Sequence, residues 1–261
     1  MLHFNLKILA SILLLFLSCE EIEYNPLDSV NPDYISPETT ITSDIDGSTL
    51  DTTVVTITFA GNDEVTEYSY SADNSGWSSW TAATSYTMDY LDEGQHNFSV
   101  KGRYASGDED ESPAAISFTV DAVKDSSLRL YPLRHIISVD STITCHIMAE
   151  GVDSLMSATI ILSYDTASLE IISVSQGDIF TNTGESVFIA EENSGTITIH
   201  TMYLGGDNPY VSGTGSLAVI LVKALAPGSH TLSLDGTQIL KTHTNRPISI
   251  IETVNGLVVI E

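Results

Sequence analysis

Thr53-Val-Val-Thr-Ile-Thr-Phe59 alternates strictly: Val55, Ile57 and Phe59 fall on one side, Val54, Thr56 and Thr58 on the other. A period of two with β-branched residues on both sides is the pattern of a half-buried strand. Moving outward, similar runs occupy Thr39–Ser43, Val65–Ser71, Ser85–Tyr90, Gln95–Tyr104 and Ala114–Val120. Turn residues separate them, among them Asp73-Asn-Ser-Gly76, with Trp77 and Trp80 just beyond. Hardly any helical period is present anywhere. Residues 37–121 therefore read as an immunoglobulin-like β-sandwich.

After a short linker, Ala122 to Ser127, the pattern resumes over residues 128–261. Nine runs can be counted there: 128–131, 141–149, 157–164, 168–174, 186–190, 196–202, 216–225, 230–234 and 253–260. Glycines punctuate them, including Gly151, Gly177, Gly195, Gly213 and Gly215. Nine strands over that length predict a jelly-roll sandwich, giving an all-β chain of two sandwiches in series.

The N-terminus has another character. Met1 to Lys7 carries one positive charge, Ile8 to Leu17 is almost wholly aliphatic, and Ser18-Cys19 follows. About ten apolar residues fall short of the roughly twenty that a membrane span needs, and suit a cleaved signal. An ordinary secretory signal or an uncleaved anchor is the alternative reading. The run resembles bacterial lipoprotein signals, in which the cysteine is diacylated and becomes the first mature residue. Phe16 stands where those signals usually have leucine. Glu20, Glu21 and Glu23 resemble the surface-export signals of Bacteroidetes lipoproteins. That resemblance implies a signal peptide over 1–18, lipidation of Cys19, a tether over 19–36, and an outer-membrane or cell-surface location.

Charge narrows the partners. The chain has 9 basic and 35 acidic residues, a formal charge of −26; cleavage before Cys19 removes Lys7 and no acid, leaving −27. Such a field repels nucleic acid, and no basic patch offsets it. With Cys19 acylated, Cys145 has no disulfide partner; at strand period with Ile143 and Ile147, it reads as a buried, inert thiol.

Two family resemblances follow from particular stretches. Pro37-Glu-Thr-Thr-Ile-Thr-Ser43, Tyr68-Ser-Tyr-Ser-Ala-Asp73 and Leu91-Asp-Glu-Gly-Gln-His-Asn-Phe-Ser-Val100 resemble bacterial Ig-like or fibronectin-type repeats, which commonly act as spacers. In the second block, Ala158-Thr-Ile-Ile-Leu-Ser-Tyr-Asp165, Ser168-Leu-Glu-Ile-Ile-Ser-Val174 and Gly177-Asp-Ile-Phe180 resemble the central signature of cohesin domains. Gly195-Thr-Ile-Thr-Ile199, Ser212-Gly-Thr-Gly-Ser-Leu-Ala218 with Val222-Lys-Ala224, Ala226-Pro-Gly-Ser-His-Thr-Leu-Ser-Leu234 and Asn255-Gly-Leu-Val-Val259 continue the match in order. Thr166 replaces the proline that many cohesins have after the Tyr-Asp pair.

The cohesin resemblance implies a non-catalytic module that holds dockerins, small calcium-loaded modules fused to glycoside hydrolases. The calcium belongs to the dockerin, so this chain needs no cofactor of its own. In the family the dockerin lies on a sheet of the third, fifth, sixth and eighth strands, here 157–164, 186–190, 196–202 and 230–234. Ile197 and Ile199 alternate with Thr198 and His200, which directs Thr198, His200 and Met202 outward. Thr159 and Ile161 are the matching candidates in the third strand, with Ile160 and Leu162 as the alternative pair. Direct polysaccharide binding is the competing function, with Trp77, Trp80, Tyr203 and Tyr210 as candidates for stacking on sugar, although Trp77 and Trp80 read first as one core-filling ring and one ring packed on the sheet rim. A structural spacer without a specific ligand is the third reading.

Catalytic signatures are missing. The seven histidines form no His-x-His or His-Glu-x-x-His motif, and there is no Cys-x-x-Cys or Gly-x-Ser-x-Gly. Asp44-Ile-Asp-Gly47 has too few ligands for a calcium loop, and Asp108-Glu-Asp-Glu111 reads as a solvated acidic turn rather than a calcium site. The chain does not read as an enzyme.

Overall fold

The computed structural model describes residues 30–180, 185–205 and 210–261. The signal, Cys19 and the start of the tether lie outside the described residues. Every regular element among those described is a β-strand.

The first block is a sandwich of two sheets. Strands β1 (Thr39–Ile41), β3 (Val55–Gly61) and β5 (Ser85–Met88) form one, in the order β1-β3-β5. The other has the order β2-β7-β6-β4, built from β2 (Thr49–Leu50), β4 (Val65–Ala72), β6 (Gly94–Tyr104) and β7 (Ala114–Val120). Val55, Ile57 and Phe59 are buried as their period requires, against Phe98, Val100, Phe118 and Val120 from the opposite sheet. Phe59 stacks on Phe98 at 6.1 Å and tilts against Tyr68 at 5.1 Å. These rings fill the core, and neither tryptophan enters it.

The second block holds β8 (Ser127–Tyr131), β9 (Arg134–Ile137), β10 (Thr142–Ser163), β11 (Leu169–Gln176), β12 (Ser186–Asn193), β13 (Thr196–Tyr203), β14 (Val211–Ala224), β15 (Gly228–Leu232), β16 (Ile239–Thr242), β17 (Pro247–Ile248), β18 (Thr253–Val254) and β19 (Gly256–Ile260). The two runs expected at 141–149 and 157–164 are one strand, β10. Gly151, read as a turn, and Ser154 take positive φ, and the register slips on both sides of Val152. Such bulges bend a strand without ending it. β10 therefore serves both layers: its first half lies between β14 and β8, its second half between β13 and β16. Leu162, Ile199, Leu217, Ile220 and Val222 are wholly buried between them.

The expected eighth strand departs from the family mapping. β15 pairs with β19 instead of lying along residues 157–163, and only Ser233 bridges Ser163. The place beside β10 goes to β16, which the run count missed. The ladder groups of β15 are already engaged by Gly256–Ile260, so a later segment satisfies the β10 edge.

The linker is hydrogen-bonded on both sides. Glu93 Oε1 accepts the Ala122 and Val123 amides at 3.0 and 2.9 Å, and Glu252 Oε1 accepts the Lys124 amide at 2.9 Å. Asp92 Oδ1 takes the Leu133 amide at 2.8 Å, and Arg134 pairs with Asp89.

Candidate functional site

Cross-strand register assembles one surface from four strands. Residues directly opposite in antiparallel strands share a face. On β10 and β13, Ser157 pairs with Met202, Thr159 with His200 and Ile161 with Thr198. On the far side of β13, Val187, Ile189 and Glu191 of β12 stand opposite Met202, His200 and Thr198. On the far side of β10, Ile239 of β16 stands opposite Thr159, and Lys241 opposite Ser157. The alternate positions Ile160, Leu162, Ile197, Ile199, Thr201 and Leu240 are buried. All five residues expected to point outward thus lie on one face, and within β10 it is Thr159 and Ile161, not Ile160 and Leu162, that do so.

The centre of this face is mixed. His200 is exposed and its Nδ1 lies 3.0 Å from Thr159 Oγ1, while Ile189 and Ile239 are 49% and 41% exposed. Ile161 is partly shielded. Gln238 spans its backbone, accepting from the Ile161 amide at 2.8 Å and donating to its carbonyl at 2.9 Å. Gly236 passes so near that a Cβ there would lie 2.6 Å from Ile161 Cβ. One end of the face is acidic, with Glu191 exposed beside Thr198. Lys241 stands toward the other end, bonded to Asn245 at 3.0 Å. Exposed apolar groups set among polar and charged ones suit protein docking. Val187, Ile189, Ile239 and Lys241 were missed because the registers of β12 and β16 are not written in their local patterns.

The other candidates fall elsewhere. Tyr203 is a correction: it is only 3% exposed and its ring belongs to the core, so it offers no stacking surface. Its parity with Ile197 and Ile199 is the signal that places it inside. Tyr210 is 39% exposed and stacks on His243, with centroids 4.9 Å apart. Trp77 and Trp80 sit together on the first block, on the outer face of the β4–β6 pair.

The turn residues behave as their chemistry demands. Asp165 Oδ1 accepts the Ala167 amide at 3.0 Å and Oδ2 the Ser168 hydroxyl at 2.7 Å, holding this carboxyl below its usual range. Gly213 has a φ of +114° in open space, whereas Gly215 is needed for close approach, a Cβ there meeting Ile179 at 3.0 Å. Burial pushes the Cys145 thiol up to about 12. In the acidic turn Asp110 is buried, accepting the Thr39 amide at 2.8 Å and the Ser112 amide at 2.8 Å, so it ties β1 to the sheet. Among the described residues no group of three or more His, Cys, Asp or Glu is placed to hold a metal ion.

Residues 137–259 match the family model of the cohesin domain, so the second block carries a cohesin domain over that span. Cohesin is a non-catalytic, protein-binding family. No curated protein sequence matches the chain. Among solved structures, the chain is similar to a non-cellulosomal cohesin from the archaeon Archaeoglobus fulgidus, at 24% identity and a TM-score of 0.45, over 53% of this chain and 92% of that one. It is also similar to the sixth cohesin of scaffoldin B from Acetivibrio cellulolyticus, in complex with a Cel5 dockerin mutant. There the identity is 22% and the TM-score 0.47, over 53% of this chain and 100% of that one. A cohesin–dockerin complex from Clostridium thermocellum, Coh-OlpA-Doc918, is similar at 14% identity and a TM-score of 0.45, over 53% and 100%.

Proposed function

We propose that this chain is a lipid-anchored, extracytoplasmic lipoprotein whose second block captures a dockerin-type protein module through the β12-β13-β10-β16 face. The first block, an Ig-like sandwich, spaces that face from the membrane, and the setting is polysaccharide breakdown. The observation that carries the reading is the register of that face. Thr198, His200 and Met202 stand directly opposite Ile161, Thr159 and Ser157, with the exposed Ile189 and Ile239 flanking the central Thr159–His200 pair. The match to the cohesin family supports the kind of partner. The short apolar run ending at Ser18-Cys19 and the formal charge of −26 support export and the exclusion of nucleic acid.

The test is calorimetric titration of the purified chain with dockerin modules encoded by the same genome, in calcium and again in chelator. Saturable one-to-one binding that disappears in chelator is expected. A chain that binds none of them in calcium is a spacer rather than a receptor.

A further inference from the structure

Lys101 and Arg103 project from the outer face of β6, and both tryptophans of the chain lie against them. The Lys101 ammonium is 5.1 Å from the Trp77 ring centre and 5.5 Å from that of Trp80, and the Arg103 guanidinium is 4.4 Å from Trp80. The segment that carries the rings is itself fastened to β4. Thr81 bridges Tyr68, the Ser78 amide donates to the Tyr70 carbonyl at 2.8 Å, and the Ser69 hydroxyl donates to the Ser78 carbonyl at 2.8 Å. The indoles are therefore fixed in place on a rigid sheet, yet Trp77 remains 47% exposed and Trp80 partly so.

Charge selects what such a surface can take. Lys101 pairs with Glu109 at 2.5 Å, and Arg103 with Glu67 at 2.6 Å, so the patch has no net charge within a strongly acidic chain. Lys101 and Arg103 back the rings from one side, so a cationic ligand on the open side would meet like charges behind the indoles, and an anionic polymer would meet the repulsion of the whole molecule. A neutral ligand with an apolar face and a hydroxyl rim fits both constraints. Its C–H face stacks on indole, and its hydroxyls donate to the Glu67 and Glu109 carboxylates and accept from Lys101 and Arg103.

The geometry points to a second binding site on the first block: Trp77 and Trp80, backed by Lys101 and Arg103, form a platform for a neutral polysaccharide. It does not depend on partner capture by the second block. It gives the first block a role beyond spacing, holding the chain on the polymer.

The test is affinity electrophoresis of the full chain in gels containing glucan, xylan, mannan or polygalacturonate, paired with fluorescence titration. The chain has only two tryptophans, so its indole emission reports this site alone. Retardation by at least one neutral polysaccharide, with a shift in emission, is expected. Trp77→Ala and Trp80→Ala should each weaken that retardation by about tenfold or more. The proposal is overturned by no retardation in any neutral gel, by retardation in polygalacturonate alone, or by retardation that survives the double substitution. A change in emission of the unsubstituted chain needs no variant, so the test stands even where a substituted chain fails to fold.

Discussion

Thr159 and His200 face each other across β10 and β13, with Thr159 Oγ1 3.0 Å from His200 Nδ1. The pair marks the middle of the candidate docking face. Its neighbours along each strand, Ile160 and Ile199, point the opposite way into the core. A shift of one residue in register would exchange the two sets, which is why burial specifies this face so firmly.

Adjacent isoleucines should therefore respond differently to truncation. Ile160→Ala removes a wholly buried side chain and is expected to cost about 2–5 kcal/mol. Ile161→Ala, on the outer face, should cost about 1 kcal/mol or less while weakening partner binding. Urea unfolding of the two variants checks the contrast.

Gly177 is irreplaceable for reasons of space. A Cβ there would lie 2.1 Å from the backbone carbonyl oxygen of Ser216. Backbone cannot yield as a flexible side chain does, so Gly177→Ala should destabilise the second block by about 1–3 kcal/mol, or more. A lowered urea midpoint with an unchanged slope is the expected result.

His96 should make stability depend on pH. It is buried, its Nδ1 lies 2.9 Å from Asp73 Oδ2, and its Nε2 lies 2.8 Å from the Asp92 carbonyl. Both neighbours only accept, so both ring nitrogens donate only in the imidazolium. Burial pulls the pKa down, but the Asp92 carbonyl and the Asp73 carboxylate outweigh it and hold the group above its usual 6.5. A pKa raised by folding stabilises fully below the unfolded value, and the benefit fades as pH rises through the folded value. The advantage of the natural chain over His96→Phe should be larger at about pH 5.5 than at about pH 8.5. Equal differences at both would contradict this.

Much of this was legible where a strand shows its period. The alternation of Ile197 and Ile199 with Thr198 and His200 sorted the face from the core, and Cys145 followed the same rule. Tyr203 obeys that parity too, and only its aromatic character drew attention outward. Trp77 and Trp80 gave no such guide, because they lie in an irregular segment. Their partners Lys101 and Arg103 come from a strand more than twenty residues later, and Phe59, Tyr68 and Phe98 had already filled the core. Register between strands was the other gap. Which segment lies beside β10 depends on which ladder groups are already paired, and that is settled by the whole sheet. This is why β16 replaced the expected 230–234 strand.

The most direct measurement is the affinity of a calcium-loaded dockerin module for three forms of this chain: unsubstituted, Ile189→Asp and Ile172→Asp. Ile189 lies on the β12-β13-β10-β16 face, whereas Ile172 is an equally exposed isoleucine on β11, in the other layer. A charge in place of this exposed apolar side chain beside His200 should weaken binding by about a hundredfold in Ile189→Asp. Ile172→Asp should bind as the natural chain does. Loss of binding in Ile172→Asp with none in Ile189→Asp would place the partner on the other sheet and contradict the account.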